Sequence, residues 1–124
     1  MGACSHYAPP TMEADRPLVV LCTVPADGGH ADRIAQSLVE ARLAACVNVV
    51  GPVRSIYRWD GAVKEDAELQ LLVKTRASRY AELEHHLRRV HPYEEPEILA
   101  LGIEKGSASY LAWLAEQTEP SAAQ

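Results

Sequence analysis

Hydrophobic and polar positions along the chain switch between a strand-like and a helix-like rhythm. Leu18 to Val24 (LVVLCTV) is continuously apolar and rich in β-branched residues, which predicts a strand inside a sheet. Pro25-Ala26-Asp27-Gly28-Gly29 breaks that run, and Ala31, Ile34, Ala35, Leu38 and Ala41 then recur at helical spacing, predicting a helix over about Gly29 to Leu43. Ala45 to Val50 reads as a second strand, interrupted by Gly51-Pro52 and resumed from Val53 to Trp59. Asp60-Gly61 is a strong hairpin signal. Ala62 to Thr75 returns with Ala67, Leu69, Leu71 and Val73 on one face, a strand of about 14 residues where five or six are usual. A helix capped by Ser78 follows, with Tyr80, Leu83, Leu87 and Val90 as its apolar stripe. A strand from Glu97 to Glu104 and a Ser107-capped helix through Gln117 complete the pattern.

The order is β-α-β-β-α-β with an appended C-terminal helix. That predicts an α+β fold: a ferredoxin-like sandwich carrying a long β-hairpin. Residues 1–17 mix Pro9, Pro10 and Pro17 with small and polar residues and read as a flexible N-terminal tail. Residues 18–118 form the single expected domain, and 119–124 a flexible end. In this topology the first and last strands are antiparallel neighbours, so Cys22 falls near His91, and Lys74 is expected at the same sheet edge. A domain of this size cannot cover so long a hairpin, so Tyr57, Trp59 and Val63 at its tip are expected to pack on a neighbouring subunit.

Composition narrows the function. With 48% hydrophobic and 23% charged residues in 124, the chain is one ordinary globular domain. Its net charge of -5 repels phosphate backbones and anionic lipid, so neither nucleic acid nor membrane is the expected partner. Cys4, Cys22 and Cys46 show no disulfide or zinc-ribbon spacing, and no apolar run reaches the roughly 18 to 20 residues that span a bilayer. A cytoplasmic location is expected.

The chemistry gathers in His91-Pro92-Tyr93-Glu94-Glu95-Pro96-Glu97. Its two prolines hold the residues before them in extended geometry, making a stiff connector between helix and strand that fixes its side-chain directions. A thiolate with one or two imidazoles suits copper or zinc rather than magnesium or calcium, which makes Cys22, His91 and His86 the candidate metal ligands. Cys22 with His91 and a connector carboxylate has the parts of a nucleophile and base, but no local signature accompanies them and no oxyanion donors are evident. An enzyme is not expected.

These residues also carry a resemblance. Leu21-Cys22-Thr23, Leu43-Ala44-Ala45-Cys46-Val47-Asn48, Ser55-Ile56-Tyr57-Arg58-Trp59-Asp60-Gly61, Lys74-Thr75, His91 to Ile98 and Tyr110-Leu111-Ala112-Trp113-Leu114 resemble, in order, the CutA family of divalent-cation tolerance proteins. The match spans about Pro17 to Thr118. The resemblance implies a cytosolic homotrimer, similar in architecture to PII signalling proteins, that acts in tolerance of copper and other divalent cations. It also implies copper binding through a strand-one cysteine and two adjacent histidines. Cys22 and His91 match two of those positions; the third holds Val90, which cannot ligate metal, with His86 one helical turn earlier as a partial substitute. The other function the sequence supports is a PII-like scaffold or signalling module, binding a small ligand or a protein in clefts between subunits. Tyr57, Trp59, Lys74, Tyr93, Glu94 and Glu97 would line such a cleft.

Overall fold

The computed structural model describes residues 15–121. The chain forms β1 (Pro17–Pro25), α1 (His30–Glu40), β2 (Cys46–Trp59), β3 (Ala62–Arg76), α2 (Ala77–Val90), β4 (Leu99–Gly102) and α3 (Ala108–Gln117). The four strands make one antiparallel sheet in the order β2-β3-β1-β4. β1 is a central strand, and its burial alternates strictly, with Leu18, Val20, Cys22 and Val24 turned into the core. Ala31, Ile34 and Leu38 of α1 and Leu83 and Leu87 of α2 close over that face, joined by Leu71 and Val73 of β3. Burying these aliphatic side chains is the main favourable term, on the order of 1.5–3 kcal/mol for each large one.

Several boundaries differ from the sequence expectation, each for a local reason. α1 stops at Glu40 because Arg42 turns left-handed (φ 61°), after which the Leu43 amide bonds back to the Leu38 carbonyl and closes the helix end. β4 is four residues long rather than eight. Ser78 does not cap α2. The helix begins at Ala77, and the side chain of Asp15 accepts from the Ser78 amide at 2.7 Å and from its hydroxyl at 2.7 Å. Asp15 also binds Arg76 at 2.8 Å, so the ordered domain starts before residue 18; the rest of the expected N-terminal tail, 1–14, lies outside the described residues. At the other end Thr118 is fully buried and Glu119 pairs with Arg76 at 3.2 Å, while 122–124 lie outside the described residues.

The hairpin that positions the site is one continuous pairing of β2 with β3, interrupted once. Its register shifts between Val50 and Val53, where the Gly51–Pro52 peptide is cis. Gly51 has φ 143°, and a Cβ there would meet Leu69, the Val53 nitrogen and the Glu68 carbonyl at 3.0–3.2 Å, so only glycine fits without displacing its neighbours. Beyond the shift, Ser55 stands opposite Asp66, Tyr57 opposite Lys64 and Val53 opposite Glu68. With side chains alternating along each strand, Ser55 and Tyr57 share a hairpin face with Asp66 and Glu68.

Candidate functional site

The connector from His91 to Ile98 runs without regular structure between α2 and β4, as its prolines require. It is pinned at its first residue. The β1–β4 ladder ends at the Leu21–Leu99 pair, and two residues further along β1 the Thr23 carbonyl accepts from His91 Nε2 at 2.8 Å. The Tyr93 amide then donates to His91 Nδ1 at 3.0 Å, a turn in which a side chain serves the backbone two residues on. A carbonyl can only accept and an amide N–H can only donate, so His91 is a neutral imidazole protonated on Nε2, with both nitrogens occupied. Burial, the leading influence, holds its pKa below the usual histidine value, in keeping with that neutral form.

Tyr93 extends from this turn over the hairpin. Its ring lies 5.0 Å from that of His91, and its hydroxyl donates to Glu68 Oε2 at 2.6 Å. Ser55 Oγ donates to Glu68 Oε1, also at 2.6 Å. Glu68 is only 5% exposed and forms no ion pair with a lysine or arginine of the described residues. Burial first, then the hydrogen bond to Glu68, pushes the Tyr93 phenol well above its ordinary value. Nearby, Tyr57 donates its hydroxyl to Asp66.

Connector and hairpin enclose a half-open pocket of about 720 Å³. Thr23, Ser55, Tyr57, Trp59, Glu68 and Tyr93 form its walls and floor, with Glu94, Glu95 and Glu97 along the connector side. Among the described residues neither lysine nor arginine lines it. Carboxylates without cations over hydroxyl and aromatic walls favour a positively charged occupant.

The candidate residues of the sequence fall into groups. Tyr57, Trp59, Tyr93, Glu94 and Glu97 meet in this pocket. Lys74 does not. β3 runs antiparallel to β1, so its end returns to the start of β1, where Lys74 pairs with Val19 and its ammonium binds Asn48. Gln70, not Lys74, stands beside Thr23, and the four-residue offset carries Lys74 about 13 Å along the strand. Cys22 and His91 belong to the same corner, but the sulfur is fully buried in the core and the imidazole is saturated. Burial, with the charges of Glu97 and Glu68 adding to it, pushes the Cys22 thiol up to about 12. His86 faces α1, where Nε2 meets Ser37 Oγ at 2.9 Å. The expected set of Cys22, His91 and His86 is therefore not assembled as a metal site, because a buried thiol and a doubly bonded imidazole offer no free donor. Among the described residues no group of three or more His, Cys, Asp or Glu side chains is close enough to hold a metal ion within one subunit.

Glu68 and Ser55 were missing from the sequence candidates. Within β3 a glutamate on the face opposite Leu69 and Leu71 reads as solvated; in the fold it is buried, with Ser55 of the paired strand and Tyr93 of the connector, more than twenty residues downstream, bonded to its two oxygens.

Fold and pocket together define an α+β protein with an acidic, aromatic-walled pocket beside a long hairpin. The sequence model of the family described as CutA1 divalent ion tolerance protein matches residues 18–117, and the chain belongs to that family. It is 53% identical over 100 residues to a divalent-cation tolerance protein CutA of Thermus thermophilus, covering 81% of this chain and 96% of that one. A counterpart of the same description from Pectobacterium atrosepticum is 45% identical over 105 residues, covering 82% and 94%. The solved divalent cation tolerance protein of Thermus thermophilus superposes with a TM-score of 0.80 at 51% identity, covering 83% of this chain and 99% of that one. CutA1 from Oryza sativa gives 0.81 at 42% identity, covering 86% and 96%.

Proposed function

We propose that this chain serves divalent-cation tolerance as a cytoplasmic, non-enzymatic homotrimer that binds metal cations at the acidic pocket between connector and hairpin. The observation that carries this reading is Glu68, a buried carboxylate held by Ser55 and Tyr93 and without a cationic partner among the described residues, at the wall of a pocket that also presents Glu94, Glu95 and Glu97. By the general order of divalent affinities copper(II) is the first-row ion a given site holds most tightly, with zinc or another divalent cation as the alternative, and the all-oxygen donors of this pocket also suit magnesium, calcium and manganese. One subunit supplies too few convergent donors for a bare ion, so a neighbouring hairpin tip completes the site in the trimer. The strand order β2-β3-β1-β4 with two helices on one face supports reading the fold as ferredoxin-like.

Calorimetric titration with Cu2+ and Zn2+ tests the proposal. We expect binding that weakens about tenfold or more when Glu94 and Glu97 are both changed to glutamine, the scale of losing a charge-assisted contact, and that is untouched by Cys22→Ser. Binding abolished by Cys22→Ser alone, or absent in the unaltered protein, overturns it.

The size of the pocket favours a second reading. A volume of about 720 Å³ is that of a small-molecule site, and Tyr57, Trp59 and Tyr93 offer faces to an organic cation. The protein is then a PII-like scaffold or signalling module. Loss of ligand response in Trp59→Ala with Zn2+ affinity intact distinguishes it.

A further inference from the structure

We infer that Glu68 is the residue that selects cations in this pocket and that His91, rather than ligating metal, is a positioning residue that aims Glu68 through Tyr93. A continuous line of hydrogen bonds carries the argument. The Thr23 carbonyl fixes His91 Nε2 at 2.8 Å, His91 Nδ1 fixes the Tyr93 amide at 3.0 Å, and the Tyr93 hydroxyl fixes Glu68 Oε2 at 2.6 Å. Ser55 closes the line on Glu68 Oε1 at 2.6 Å. Every member lies on a different support: β1, the start of the connector, its next turn, β3 and β2. The rigidity of the sheet is thereby transferred to a side chain that otherwise has three freely rotating bonds. Both Glu68 oxygens accept, so an anionic occupant meets a carboxylate held in place and the connector glutamates beyond it. A cationic occupant offsets a charge the fold has already buried, at a site where removal from water strengthens the attraction. The selection half of this inference rests on the cation reading above; the positioning half does not.

Two near-isosteres of His91 divide its duties. The carboxamide oxygen of His91→Asn is able to accept from the amide two residues on, as asparagine does in turns, but the side chain is too short for Thr23. His91→Gln reaches toward Thr23 and lacks the acceptor beside the Tyr93 amide. We expect the Tyr93 amide to exchange slowly in the unaltered protein and in His91→Asn, and at least tenfold faster in His91→Gln. The 15N spectrum of His91 should show a single Nε2-protonated tautomer that added Zn2+ leaves unchanged. Zn2+ affinity should fall about tenfold or more in Glu68→Gln and in Tyr93→Phe, which removes one hydroxyl and no bulk, and less in His91→Asn than in His91→Gln. A His91 nitrogen shifting to a metal-bound position on adding Zn2+ overturns the positioning role, as does equal Tyr93 exchange in all the His91 variants. Unchanged Zn2+ affinity in Glu68→Gln, or no Zn2+ binding by the unaltered protein, overturns the selection role, while the exchange result still decides the positioning role.

Discussion

Cys22 shows how a single residue's surroundings decide its chemistry. On β1 it occupies one of the four inward positions, its sulfur fully buried beneath the helices. Removal from water penalises the thiolate, and Glu97 and Glu68 add repulsion, so the thiol titrates at about 12 instead of 9.0. At neutral pH it is a protonated, buried thiol that packs as a small core residue. The unfolded chain releases this proton from about pH 9 while the folded chain keeps it until about 12, so over that window the unfolded state binds fewer protons. Stability must therefore fall as pH rises through that range. Tyr93 and Tyr57, whose phenols are also raised, act in the same direction. Denaturant titrations at pH 8 and pH 10 should show this loss, and Cys22→Ala should reduce it. Alkylation followed by peptide mapping should find Cys46, which is half-buried, modified in the folded protein and Cys22 modified only after unfolding.

At the scale of elements, a distant residue supplies the start of α2. The Ser78 amide and hydroxyl and the Arg76 guanidinium all converge on the carboxylate of Asp15. Asp15→Ala removes an acidic cap from a helix N-terminus and takes from Arg76, whose side chain is largely buried, its shorter ion pair, leaving Glu119 and Thr118 as its partners. We expect a loss of about 1–2 kcal/mol in denaturant unfolding, with hydrogen exchange fastest in the first turn of α2. Sequence alone points to the wrong residue, since Ser78 has the right chemistry in nearly the right place and the true cap lies sixty residues away in a proline-containing segment. Most elements were legible for the opposite reason. The period of Leu83 and Leu87, the Asp60-Gly61 turn and the apolar run of β1 are local signals, and each element forms where they stand. The site was legible in part. Tyr57, Trp59, Tyr93 and the connector glutamates announce themselves by type, whereas Glu68 acquires its role only from the chain folded over it, and Lys74 is lost to the direction in which β3 runs.

At the scale of the molecule, the described residues leave apolar surface exposed. Val63 and Trp59 near the hairpin tip are 67% and 53% exposed, and Leu99 and Leu101 on β4 are 56% and 54% exposed. β2 and β4 are the two edges of the sheet, so an uncovered β4 also presents unpaired backbone groups. An edge strand that must stay single is usually protected by lysine or proline; β4 (LALG) carries neither. The simplest partner for such a surface is another copy of the same chain, with the hairpin of one subunit reaching across the sheet edge of the next in a closed ring. We expect sedimentation at micromolar concentration to give three times the chain mass. Leu101→Lys places a charge in the middle of the exposed edge, where desolvating it without a partner costs far more than one leucine contributes. That variant should sediment as a folded monomer or a concentration-dependent mixture, and, on the proposal that a neighbouring hairpin completes the pocket, it should bind Zn2+ more weakly. A monomeric unaltered protein would remove the trimer. A monomeric Leu101→Lys with full Zn2+ affinity would show instead that each subunit's pocket suffices alone.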